Sequence, residues 1–163
     1  MSPGLRKALL TAHVAVSVGW LGAVSAVLAL AVVALISDDE STVRGAYLVM
    51  EPAAWFVLVP LAFASLLTGV VQSLGTHWGL FRHYWVLFKL LINLLATALL
   101  LTYTRTLDAL ADAAAAGELE SLQTPSVVLH AVAALLLLLV ATTLAVVKPR
   151  GLTPFGRRRG LSA

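Results

Sequence analysis

The stretch Ala8-Leu9-Leu10-Thr11-Ala12-His13-Val14-Ala15-Val16-Ser17-Val18-Gly19-Trp20-Leu21-Gly22-Ala23 decides the fold, and it continues without a charge to Ile36. About 29 residues at about 1.5 Å each make roughly 43 Å of helix. A hydrocarbon core of about 30 Å needs only about 20 residues. The run is therefore read as a membrane helix longer than necessary, with an imidazole inside it. His13 and Trp20 are seven residues apart and share a face. Arg6-Lys7 followed by an apolar run also suits a secretory signal, but this run is too long and further spans follow.

Composition agrees with a membrane chain. Of 163 residues, 60% are hydrophobic and 12% charged, and the mean hydropathy is +0.95. Soluble domains carry about 25% charged residues. There is no cysteine, which removes disulfides, thiolate ligands and a Cys nucleophile. The pI near 9.7 suggests nucleic acid as a partner only until the basic residues are placed. They flank the apolar runs and form no soluble domain, so nucleic acid is excluded and the lipid bilayer is the partner.

Working outward, four apolar segments are visible, at about 8–36, 52–75, 85–105 and 126–147. The polar cluster Ser37-Asp38-Asp39-Glu40-Ser41 separates the first two. Tyr47 to Met50 suits the interface, ahead of Glu51-Pro52, where proline fits a first helical turn. Thr76 to Tyr84 is a short connection. Asp108, Asp112, Glu118 and Glu120 lie in an Ala-rich stretch that offers an amphipathic extension of helix three. Thr124-Pro125 opens helix four, Lys148-Pro149-Arg150-Gly151 ends it, and Arg157-Arg158-Arg159 forms a basic tail at 148–163. Short connections make neighbours antiparallel, so the expectation is one all-α domain, an antiparallel four-helix transmembrane bundle. Gly19 with Ala15 and Ala23, and Gly22 with Ala26, offer two small-residue rows for close helix contact.

Charge asymmetry gives the orientation. Arg6, Lys7, Arg82, Lys148, Arg150 and Arg157 to Arg159 fall on one side, and all eight acidic residues fall on the other. Arg44 and Arg105 are the basic residues near the acidic side. The bias puts both termini and the short middle loop in the cytoplasm, with the chain crossing the membrane several times. With every carboxylate at the outer side, a carboxylate-driven proton pump is disfavoured.

Polar groups inside a bilayer usually face the bundle interior. Lys89, Asn93 and Thr97 form one stripe, Ser65, Thr68 and Gln72 another, and His13 stacks with Ser17. Depth counting brings His13, Lys89, His77 and His83 to one level. His130, Glu51 and Arg105 form a second group at the outer side. Each has a plainer reading. Lys89 snorkels to the boundary, His13 bonds Ser17 or a carbonyl, and His77 and His83 are solvated loop residues. Trp55, Trp78, Tyr84 and Trp85 are interface anchors, Trp20 is a packing residue, and Asn93 joins helices. The sharper reading is haem b, with His13 as axial ligand of the iron. Lys89, His77, His83 or His130 would supply the second ligand. Arg82 or Lys89 would neutralise a propionate, Trp20 would pack on the macrocycle, and Asn93 and His83 would complete the cofactor-binding set. Alternatives are a small transporter or copper-uptake component, or a structural or assembly subunit of a larger membrane complex or homo-oligomer. Copper prefers Met, His and Cys ligands, and the chain has two Met and no Cys.

His13 with Trp20 and Gly22 in a first helix resembles a pattern of small bacterial membrane proteins. They include the HemJ-type protoporphyrinogen oxidases, the copper-resistance D domain, and an uncharacterised integral-membrane family near both. Tyr84-Trp85-Val86-Leu87-Phe88-Lys89 is similar to their aromatic-then-lysine motif, and Thr68-Gly69 to a Thr-Gly in their second helix. Lys148-Pro149-Arg150-Gly151-Leu152-Thr153 resembles the tail of actinobacterial members of the uncharacterised family. The resemblance implies a helical membrane fold and haem binding through His13 and Lys89, with an oxidoreductase role.

Overall fold

The computed structural model describes residues 1–76 and 79–160. Four helices are long and apolar enough to cross a membrane: α1 Pro3–Ile36, α2 Glu40–Leu74, α3 Tyr84–Ala116 and α4 Ser126–Val147. A short α5, Pro154–Gly160, follows. No strand occurs among the described residues.

The long helices carry many large apolar side chains on their exterior. Phe56 is 80% exposed, Leu91 62% and Val18 61%. A water-soluble surface would not carry large apolar side chains at this density. Inside, α1 buries Trp20, Val24, Val27, Ala31 and Ala34, spaced by fours and threes like a coiled-coil seam. That seam decides which small residues matter. Gly19 faces Leu61, a built Cβ standing at an ordinary contact distance of 3.6 Å from its Cδ2. Gly22 and Ala26 are exposed, and nothing lies within 4 Å of a Cβ at Gly22. The expected Gly22–Ala26 contact row therefore faces outward, because it lies off the buried seam.

The second helix is much longer than the expected 52–75. It starts at Glu40, capped by Asp39, whose carboxylate accepts from the Thr42 N–H at 2.9 Å. Pro52 does not open it but lies inside it. A π-helical turn, Ala54–Leu58, lies between Pro52 and Pro60, and the Val59 N–H bonds the Ala54 carbonyl five residues back. A proline removes an N–H and crowds the carbonyl four residues earlier; the wider π turn absorbs that mismatch without breaking the helix. Helix α1 likewise begins five residues before the expected start, with Ser2 as its cap. Helix α3 takes up the Ala-rich stretch and ends at Gly117, in the left-handed region at φ 81°.

Side-chain pairings give the registers. His13 meets Thr68 and Ser17 meets Ser65, so residue numbers rise on α1 as they fall on α2. Asn93 meets Ser65 and Asp108 meets Trp55, so the same holds between α2 and α3. The Tyr47 hydroxyl donates to the Leu122 carbonyl at 2.7 Å, fixing α2 to the connection between α3 and α4.

Candidate functional site

Three polar stripes meet where α1, α2 and α3 pack. The Thr68 hydroxyl donates to the Ala64 carbonyl at 2.6 Å, the usual back-bond of a helical threonine. Its only hydrogen is spent there. His13 Nδ1 lies 3.0 Å from Thr68 Oγ1, so Nδ1 carries the proton and donates. That choice leaves the Nε2 lone pair as base or ligand, the arrangement in which a second residue fixes the tautomer of a ligating histidine. Gly69 permits it sterically: a Cβ there would sit 3.1 Å from His13 Cε1. Ser17, which with a backbone carbonyl was one of two partners expected for His13, instead meets Ser65, Oγ to Oγ at 3.0 Å. Asn93 Nδ2 donates to the same Ser65 oxygen at 3.2 Å. Ser65 is thus the hub joining three helices, and it is 2% exposed. One turn on, the Thr97 hydroxyl donates back to the Asn93 carbonyl at 2.8 Å.

Lys89 lies within electrostatic reach of both His13 and Lys148. His83 is the residue before α3, and its backbone bridges to Leu152. The Arg82 carbonyl accepts from the Thr153 N–H at 3.0 Å. His77 lies outside the described residues. His130 stands apart, with Nδ1 2.8 Å from the Ser126 carbonyl and its ring stacked on Tyr103 at 4.0 Å between centroids. Tyr103 is fourteen residues beyond Lys89, about 21 Å along α3. His130 therefore partners Tyr103 and Ser126 where Glu51 and Arg105 were expected. Tyr103 was missed because its hydroxyl finds Ser126 only across helices, at 3.1 Å.

Trp20 is 2% exposed, and its Nε1 has no hydrogen-bond partner among the described residues. It lines a cavity of about 80 Å³ with Leu58, Tyr103, Leu107 and His130. Sites for small molecules run from about 300 Å³ upward, so this space does not take a macrocycle. The donor chemistry at His13 does fit a haem iron: an imidazole with a fixed tautomer, a glycine that admits it, and a cation close by. Trp20 belongs to the cavity wall rather than to that set. No group of three His, Cys, Asp or Glu able to hold a metal occurs among the described residues.

Outside the spans, Asp39 is the one strongly perturbed acid. Hydrogen bonds from the Thr42 hydroxyl, then from the Ser41 hydroxyl and the Thr42 N–H, hold its carboxyl down at about 2.

No protein-family profile, curated protein or solved structure matches this chain.

Proposed function

We propose that the chain is an integral protein of the bacterial inner membrane, an antiparallel four-helix bundle with both termini in the cytoplasm. In this reading it binds b-type haem and serves a redox or electron-transfer role, with HemJ-like oxidoreductase chemistry as one form of it. One observation carries the proposal: His13 Nδ1 lies 3.0 Å from a Thr68 hydroxyl that donates to the Ala64 carbonyl, and a proton held on Nδ1 by that oxygen would leave Nε2 able to ligate iron. His13 would then hold the haem iron, with Lys89 as a second ligand or the partner of a propionate. Bound haem supplies one-electron chemistry. The protein's own part is to fix the imidazole tautomer through Thr68, to keep the ring against Gly69, and to place a cation beside it. The opposed registers and the segregated charges support the topology.

The test is the visible spectrum of the detergent-purified protein, oxidised and dithionite-reduced. A Soret band that shifts on reduction and disappears in His13→Ala supports the reading. A colourless protein, expressed with adequate haem, sinks it.

A second reading is a cofactor-free structural or assembly subunit. The observation favouring it is the Ser17–Ser65–Asn93 chain, which already joins three helices at hydrogen-bonding distance. A stable membrane partner that co-purifies with colourless protein supports this reading.

A further inference from the structure

The end of the bundle where α1 begins and α4 stops is strongly cationic. Of eleven Lys and Arg residues, only Arg44 and Arg105 lie at the other end. No carboxylate side chain lies at the cationic end among the described residues; those of Asp38 to Glu40, Glu51, Asp108, Asp112, Glu118 and Glu120 belong to the opposite end. Close like charges are costly unless an anion or water screens them.

The C-terminal segment is not a loose appendage to this surface. The Tyr84 N–H donates to the Gly151 carbonyl at 3.3 Å, and the Thr153 N–H to the Arg82 carbonyl at 3.0 Å. Thr153 is buried at 4% exposure, and its hydroxyl donates to the Phe81 carbonyl at 2.5 Å while accepting from the Gly156 N–H at 3.1 Å. Gly156 then rests on the Arg82 peptide so closely that a Cβ would stand 2.5 Å from the Arg82 carbonyl oxygen. These contacts hold the helix that carries Arg157-Arg158-Arg159 against the loop that carries Arg82. Lys148 and Arg150 lie in the segment leading to it. Two apolar side chains of the docked segment face outward, Leu152 at 41% and Phe155 at 50% exposure. Cations beside exposed apolar groups, at the end of helices that cross a membrane, match a lipid interface rather than bulk water.

We propose that the docked segment and the loop beneath it form a binding site for the headgroup of an anionic phospholipid. Several guanidinium and ammonium groups meet the phosphate, while Leu152 and Phe155 sit among the adjoining acyl chains. Docking is the essential part: it brings the segment that carries Lys148, Arg150 and Arg157 against the loop that carries Arg82, charges that a free tail would leave dispersed. The site is independent of whether His13 holds haem.

The experiment uses the full-length protein in phosphatidylcholine nanodiscs containing spin-labelled phosphatidylglycerol or spin-labelled phosphatidylcholine. The immobilised lipid fraction is read by electron paramagnetic resonance. The wild type is expected to immobilise the anionic probe preferentially. Arg157→Gln, Arg158→Gln and Arg159→Gln together should lower its relative affinity at least about tenfold at low salt. Gly156→Ala, which keeps every charge but displaces the segment, should lower it comparably, with circular dichroism confirming an intact helical bundle. Equal immobilisation of the two probes by the wild type overturns the proposal. Full selectivity retained in the triple variant overturns it too, and so does full selectivity in helical Gly156→Ala. Displacement of the lipid by millimolar inorganic phosphate would make this a site for free phosphate and equally overturn it.

Discussion

At His13 the deciding atom belongs to another residue. Thr68 has one proton, gives it to the Ala64 carbonyl, and so meets the imidazole as an acceptor. Thr68→Val removes that acceptor from a part-buried imidazole, at a cost of about 1 kcal/mol. Nitrogen-15 spectra of labelled imidazole should show Nδ1–H in the wild type and a tautomer mixture in Thr68→Val, while Thr68→Ser keeps the wild-type pattern. An unchanged tautomer in Thr68→Val would show that Thr68 does not set it. Ser65→Ala takes the hub from both Ser17 and Asn93. Interhelical hydrogen bonds in membranes average only about 0.6 kcal/mol, with about 1.7 at most, so a loss near 1 kcal/mol is expected in detergent unfolding. A much larger loss would mean that Ser65 packing, not its hydroxyl, holds the helices. Which residues share a stripe was legible from i, i+4 spacing alone, since periodicity along one helix gives its faces. Which stripe slides against which was not legible, because register between helices is set by packing. Spacing therefore offers Ser17 or a carbonyl to His13, whereas Ser17 reaches Ser65 on the next helix.

Helix α2 shows the same limit on a larger scale. Ser37 to Glu51 read as a connection because it is polar and ends in proline, yet Val43, Ala46, Tyr47 and Met50 are buried on one face. From Met50 the buried positions run Ala54, Leu58 and Ala62, always four apart. In a regular α-helix a step of four overshoots the face by about 40°, so three steps drift by about 120°. The π turn between the prolines brings them back, and that run of fours is the signal the sequence held. Two predictions belong here. Tyr47→Phe removes the bond to the Leu122 carbonyl; backbone amides of 118–124 should exchange with deuterium faster, at a stability cost of about 1 kcal/mol, and unchanged exchange would refute the role given to Tyr47. Asp39 caps α2 with a carboxyl held below its ordinary 3.8, at about 2. A depressed pKa gives stability that is full above the ordinary value and is lost as pH falls through the folded one. Helicity should therefore decline between about pH 4 and 2 in the wild type, and less in Asp39→Ser, whose cap does not titrate. Parallel curves would clear Asp39 of the effect.

For the whole molecule, charge segregation is the dominant feature, and it was legible at once because topology signals are counts rather than contacts. The absence of cysteine makes its test clean. In intact cells an impermeant maleimide should label Ser121→Cys, and should label Gly4→Cys only after the membrane is opened; both positions are exposed. The opposite pattern would invert the orientation. The docked C-terminal segment has a further meaning for how the chain is made. Phe81 and Arg82 meet Thr153 across 72 and 71 residues of sequence. At about 5–20 residues per second, a ribosome takes roughly 4–14 s to cover that distance. For that time the loop between α2 and α3 exists without the strand-like partner that closes it. The nascent protein thus passes through an open-ended stage, and the cationic end can seal only after the Thr153 segment has been made.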